Sequence, residues 1–130
     1  MNKLVVDIYS FGFQMSGVPE DLSGNQGGFV FDCRFLPNPG RDPAYADLTG
    51  KDPEVIAFLS AKPQVEKLLT HSKAIVDEAI DNYLERGFSH LMVCYGCTGG
   101  QHRSVYCAEQ LYQYLQSRPV EARLRHVELE

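Results

Sequence analysis

The sequence predicts a single-domain α/β fold, a largely parallel sheet flanked by helices, with an anion site built from a strand, a glycine-rich loop and a helix. Three observations lead there. Short apolar stretches rich in β-branched and aromatic residues alternate with stretches of helical periodicity. The longest helical pattern runs directly into an apolar strand, the order of a parallel crossover. At 130 residues, 44% hydrophobic and 22% charged, the chain suits one domain, residues 1–130, with enough apolar side chain for a core.

Residues 3–10 (KLVVDIYS) read as an opening strand, apolar enough for a central, covered position, and run on into Gly12. Residues 16–28 (SGVPEDLSGNQGG) are nearly all turn formers and predict a surface loop. A second strand is expected over residues 29–34 (FVFDCR), stopped by Pro37 and Pro39. Asp52 before Pro53 predicts a helix start, with the aspartate as cap and the proline at the first helical position. From Pro63 the apolar residues Val65, Leu68, Leu69, Ile75, Val76, Ala79, Ile80, Tyr83 and Leu84 fall at helical spacing, predicting a long amphipathic helix closed by Gly87.

Residues 90–95 (HLMVCY) predict a short buried strand and residues 96–101 (GCTGGQ) a tight turn. A helix is expected over residues 104–116, on the spacing of Val105, Ala108, Leu111, Tyr112 and Leu115. Residues 123–129 (RLRHVEL) alternate apolar and polar after Pro119 and predict a last strand. In parallel sheets ligands sit beyond the carboxyl ends of the strands, which marks the loops after Ser10, Arg34 and Tyr95.

Twelve Lys plus Arg against seventeen Asp plus Glu give a net charge of −5, with no polybasic run. That balance argues against a surface built mainly to neutralise nucleic-acid phosphates. Residues 1–10 lack the apolar stretch of a secretory signal, and no segment approaches the ~20 apolar residues of a membrane span. A cytoplasmic protein without membrane contact is expected, with Cys33, Cys94, Cys97 and Cys107 as thiols rather than a disulfide framework.

The loop Cys97-Thr98-Gly99-Gly100-Gln101-His102-Arg103-Ser104 carries most of the chemistry. Paired glycines let the backbone approach a ligand, and the first amides of the following helix point unpaired N–H groups into the same space. Arg103 adds a guanidinium whose forked donors suit phosphate oxygens, while Thr98 and Ser104 add hydroxyls. A cation at a helix N-terminus opposes the helix dipole, which makes sense if an anion lies between them. His102 is a further donor, or an ordinary surface histidine.

The same loop satisfies Cys-x5-Arg-Ser, the spacing of cysteine-dependent phosphatases, with Cys97 as nucleophile and Arg103 as clamp. Asp42 and Asp52 are the acids on offer, but Asp52 reads better as a helix cap, and Gly96 stands where many of those enzymes have His. Cys94 and Cys97 form a Cys-x-x-Cys pair without the second pair a zinc site needs, so neither metal nor cofactor is expected. Asp32 and Arg34, two apart at a strand end, offer an acceptor and a donor at the rim, or an ordinary ion pair. No Gly-x4-Gly-Lys-Ser/Thr element occurs.

Four segments, Ser10-Phe11-Gly12-Phe13, FDCRFLPNP from Phe31, Leu48-Thr49-Gly50 and GCTGGQHRSV from Gly96, together resemble the C-terminal domain of the RNase adapter protein family, RapZ, from about Ile8 onward. The family's full-length members carry an N-terminal P-loop domain that this chain lacks, so it looks like a free-standing second domain. The resemblance implies a sensor of glucosamine-6-phosphate that also binds small RNA and an endoribonuclease and oligomerises. It places the phosphate on Thr98 through Ser104 with Arg103, and the sugar near Asp32, Arg34 and Asn38, with Ser10 and Gly12 at the same rim. RNA-binding members have a basic C-terminal stretch, whereas this chain closes with Val127-Glu128-Leu129-Glu130. The expected function is a regulatory binding module for a small phosphorylated metabolite, without catalysis of its own. A phosphatase using Cys97 and an RNA-binding adapter module are the competing classes.

Overall fold

Four strands are seen among the described residues: β1 (Val5–Gly12), β2 (Gly28–Asp32), β3 (His90–Cys97) and β4 (Glu121–His126). They form one sheet in the order β2-β3-β1-β4, and every neighbouring pair is parallel. The helices are α1 (Pro53–Ser60), α2 (Pro63–Arg86) and α3 (Arg103–Leu115), with single 3-10 turns over Pro39–Arg41 and Val127–Leu129. This is a computed structural model, describing residues 3–25 and 27–130. Met1 and Asn2, from the stretch expected to lack a signal, and Gln26, inside the expected loop 16–28, lie outside the described residues. No helix is long and apolar enough to cross a membrane among the described residues.

The apolar opening strand is explained by its place: β1 is bonded to β3 on one side and β4 on the other. Val6 and Ile8 of β1 and Leu91, Val93 and Tyr95 of β3 join Val76 and Ile80 of α2 and Leu111 and Leu115 of α3 in one buried core. The Tyr95 hydroxyl meets that of Ser72 at 2.8 Å, so the polar atoms carried into this core satisfy each other. The opposite face of the sheet carries Asp7, Tyr9, Met92, Arg123 and Arg125, half-buried or exposed. Gly87 closes α2 at φ 72, its N–H reaching the carbonyls of Leu84 and Tyr83. The four cysteines are free and buried.

Element boundaries differ from the sequence expectation: β1 runs Val5–Gly12 instead of 3–10 and α3 Arg103–Leu115 instead of 104–116, and three strands differ for visible reasons. β2 stops at Asp32, because Asp32 Oδ1 accepts the Arg34 N–H at 2.9 Å and turns the chain out of the ladder. β3 runs on through Gly96 and Cys97, which pair with Phe11 and Gly12. β4 starts at Glu121, whose N–H bonds Leu4 at 2.9 Å, and ends at His126; residues 127–129 leave the sheet as a 3-10 turn. Asp52 does occupy the cap position of α1, but its carboxylate accepts the Thr49 N–H at 2.7 Å instead of a helix amide.

Candidate anion-binding site

Parallel strands place all their carboxyl ends on one rim. There the segment after β2 and the loop after β3 enclose two adjoining cavities of about 300 and 200 Å3, both lined by Asn38, Thr98 and Arg103. Arg34 and Arg41 complete the larger, and Gly40, Cys97, Gly99, Gln101 and His102 the smaller. Tyr106 N–H closes on His102 O at 3.0 Å, so the amides just before it are the orphan donors of a helix start.

Arg103 is the unusual group. It is 4% exposed, and its Nη1 donates to the carbonyls of Arg34 (2.8 Å) and Leu36 (3.0 Å), with Nη2 3.5 Å from the Thr98 hydroxyl. Its Nε is buried without a hydrogen-bond partner. Among the described residues no ion pair reaches it, whereas Arg34, Arg118, Arg123 and Arg125 are each paired with a carboxylate. The Asp32 carboxylate feels its charge but makes no direct ion pair with it, and a buried cation without a paired anion is costly.

The other expected residues divide into those at the cavities and those behind them. His102 Nε2 lies 2.9 Å from the Tyr45 carbonyl, which can only accept, so Nε2 carries the proton and Nδ1 is the nitrogen open to a ligand. Asn38 Oδ1 accepts the Gly40 N–H at 2.9 Å, leaving its NH2 to offer. Arg34 holds Asp32 through Nε (2.9 and 3.1 Å) and Nη2 (2.6 Å) and lies 3.8 Å over the Phe13 ring. The Asp32–Arg34 pair is thus a local ion pair in which only Arg34 lines a cavity. Ser10, Gly12, Gly100 and Ser104 line neither cavity. A Cβ on Gly12 would sit 2.7 Å from the Gly99 carbonyl carbon, so glycine here lets β1 end against the loop after β3.

Comparison with known sequences places this architecture. A sequence model of the RapZ C-terminal domain matches residues 4–130. The chain belongs to this family. A nucleotide-binding protein of Methylococcus capsulatus is 45% identical over 122 residues, 94% of this chain and 39% of that protein. One from Idiomarina loihiensis is 39% identical over 127 residues, 98% of this chain and 43% of its own length. The RNase adapter protein RapZ of Yersinia pseudotuberculosis is 39% identical over 128 residues, 98% of this chain and 43% of that protein. The chain therefore spans about two-fifths of the relatives it matches.

Within this RapZ-family domain two functional-looking clusters escaped the sequence reading. Ser10 Oγ lies 2.6 Å from His126 Nδ1, and His126 Nε2 2.7 Å from Glu109 Oε2, tying β1, β4 and α3 together beneath the rim. Glu128 reaches back to Gly12 and Ser16. These partners lie more than a hundred residues apart for Ser10–His126 and for Gly12 and Ser16 with Glu128, so no local spacing could reveal them.

Cys97 lines the smaller cavity beside Arg103, but its surroundings do not equip it as a nucleophile. It is 2% exposed and its thiol donates to Ser104 Oγ at 3.1 Å. Asp42 accepts the Ala44 N–H and Asp52 the Thr49 N–H, so both candidate acids are taken up in their own turns. At Gly96 any side chain would meet the rings of Phe11 and Phe13, which explains the glycine where many phosphatases have His. We expect no turnover of p-nitrophenyl phosphate and slow iodoacetamide labelling of Cys97 in the native protein. Hydrolysis that vanishes in Cys97→Ser would reverse that expectation.

Proposed function

We propose that this domain is a regulatory binding module for a small phosphorylated metabolite, of the amino-sugar phosphate type, seated at the rim between β2 and β3. One observation carries the reading: Arg103, buried with an unpartnered Nε and no ion pair among the described residues, beside the orphan amides of a helix start and two cavities. The phosphate lies against Arg103, Thr98 and the amides of the loop. The sugar extends along Asn38 and Arg34, with His102 Nδ1 as an acceptor for a hydroxyl or amine. Calorimetry with glucosamine-6-phosphate, glucosamine and inorganic phosphate tests this. The sugar phosphate should bind, glucosamine should not, and equal binding of the two sugars would end the assignment.

The Yersinia relative is an RNase adapter by name, which makes a ribonuclease a partner worth testing here, beside the RNA and second copy of the chain that the family resemblance implies. For RNA the charge distribution is unfavourable. Arg118, Arg123 and Arg125 are held by Asp77, Glu121 and Glu130 at 2.9, 2.7 and 2.6 Å, so folding neutralises them in pairs instead of gathering them. Polyanion binding grows with the number of unpaired cations. RNA affinity should therefore stay at the non-specific level, ~10⁻⁴–10⁻⁶ M at physiological salt by analogy with DNA. A filter-binding titration with a structured RNA at two salt concentrations checks it, and submicromolar, salt-sensitive binding would restore the RNA-adapter role.

A further inference from the structure

The two glycines of the anion loop have opposite surroundings. Gly99 has open space where a side chain would project, whereas Gly100 (φ 74) is pressed against Gly12, Phe11 and the side chain of Glu128. The Glu128 carboxylate in turn accepts the N–H of Gly12 (3.0 Å), the N–H of Ser16 (3.1 Å) and the Ser16 hydroxyl (2.8 Å). The turn so gripped sends two N–H groups to the residues leading into the loop, Phe13 to the Cys97 carbonyl (2.8 Å) and Gln14 to that of Thr98 (3.1 Å). Burial pushes the Glu128 carboxyl up, but the Gly12 N–H and the Ser16 donors outweigh it and hold the group below its usual range. It is charged at neutral pH, and this contribution fades as pH falls through its depressed pKa.

We propose that Glu128 is a positioning residue for the anion site: from the 3-10 turn after β4 it holds residues 98–100 in the shape that lets Thr98, Arg103 and the helix amides converge. It lines neither cavity and acts through the backbone. Without it, the Gly12 and Ser16 donors turn to water, and Gly100 loses the wall that selects one of a glycine's many conformations. The fraction of molecules with a formed site falls, and affinity falls with that fraction. The C-terminal segment thereby sets the affinity of a site it does not touch.

This inference rests on the phosphate reading, so its test has one arm with ligand and one without. Glucosamine-6-phosphate binding is measured by calorimetry for the full chain, Glu128→Ala, Glu128→Gln, and Tyr114→Phe as a control that removes a hydrogen bond to Asp77 at the far end of α3. Well below every melting temperature, Glu128→Ala should bind about tenfold more weakly. Glu128→Gln, which keeps one acceptor oxygen, should fall between, and the control should match the parent. In the ligand-free arm, amide exchange and resonance positions of Gly99 and Gly100 should shift in Glu128→Ala and not in the control. Parent affinity in Glu128→Ala, or unchanged Gly99 and Gly100 amides, overturns the positioning role. Failure of the parent to bind sugar phosphate overturns the phosphate reading instead, and the ligand-free arm still decides whether Glu128 shapes the loop.

Discussion

Arg103→Ala is expected to weaken glucosamine-6-phosphate binding by ~1.5–3 kcal/mol, because it removes charge-assisted hydrogen bonds from the centre of the site. Arg103→Lys should recover little of that loss, since an ammonium cannot keep the two carbonyl contacts of Nη1 and also present a second face to the anion. The unliganded protein should behave differently. The parent buries a positive charge with no ion pair among the described residues, so Arg103→Met replaces a desolvated cation by an apolar chain of similar length. Its melting temperature should fall by less than that of Arg103→Ala while binding is lost, because Met relieves the desolvated charge and fills the space but leaves the Arg34 and Leu36 carbonyls without their donor. Calorimetry and thermal denaturation of the three variants check both halves, and unchanged binding in Arg103→Ala would remove Arg103 from the site.

The second large effect is expected at Gly100. At φ 74 any other residue is strained, and a Cβ there would fall on the Glu128 side chain and 2.6 Å from the Gly12 nitrogen, which is backbone and cannot step aside. Gly100→Ala should cost ~2–4 kcal/mol of stability, at the upper end of single substitutions, and carry away ligand binding with it. Gly99→Ala is the contrast. Open space surrounds that position and its φ is outside the left-handed region, so stability should change by no more than ~0.5 kcal/mol. Denaturant melts of the two proteins measure the difference directly. Equal stabilities would mean that the loop is not packed from behind.

The residues whose environment is local were legible in the sequence. Pro53, Pro63 and Gly87 mark helix ends because proline lacks an N–H and glycine accepts a positive φ, properties that hold wherever the chain is placed. The apolar runs of β1 and β3 announced interior strands of a parallel sheet, although Asp7, Tyr9 and Met92, on the face away from the core, are only half-buried. The motif from Gly96 to Val105 declared a strand, a glycine turn and a helix with an arginine at its start, because a helix N-terminus leaves the same orphan amides in any fold. Strand boundaries were less legible. Gly96 and Cys97 look like turn residues until Phe11, Gly12 and Cys33 are seen bonded or paired to them from other parts of the chain.

Three properties of the site were decided only by tertiary structure. Arg103 is buried because the carbonyls of Arg34 and Leu36, almost seventy residues away, close over it, and it has no ion pair among the described residues; as sequence it is any arginine at a helix start. Ser10 and Gly12 are bonded to His126 and Glu128, which arrive from the last strand and turn. The final acidic residues, which as sequence only weaken the case for nucleic acid, become the partners that hold Arg125 and the Gly12 turn. The physical reason is common to all three. Helix and turn preferences are properties of neighbouring residues, whereas the charge balance of a buried group depends on which distant donors and acceptors the sheet order brings beside it.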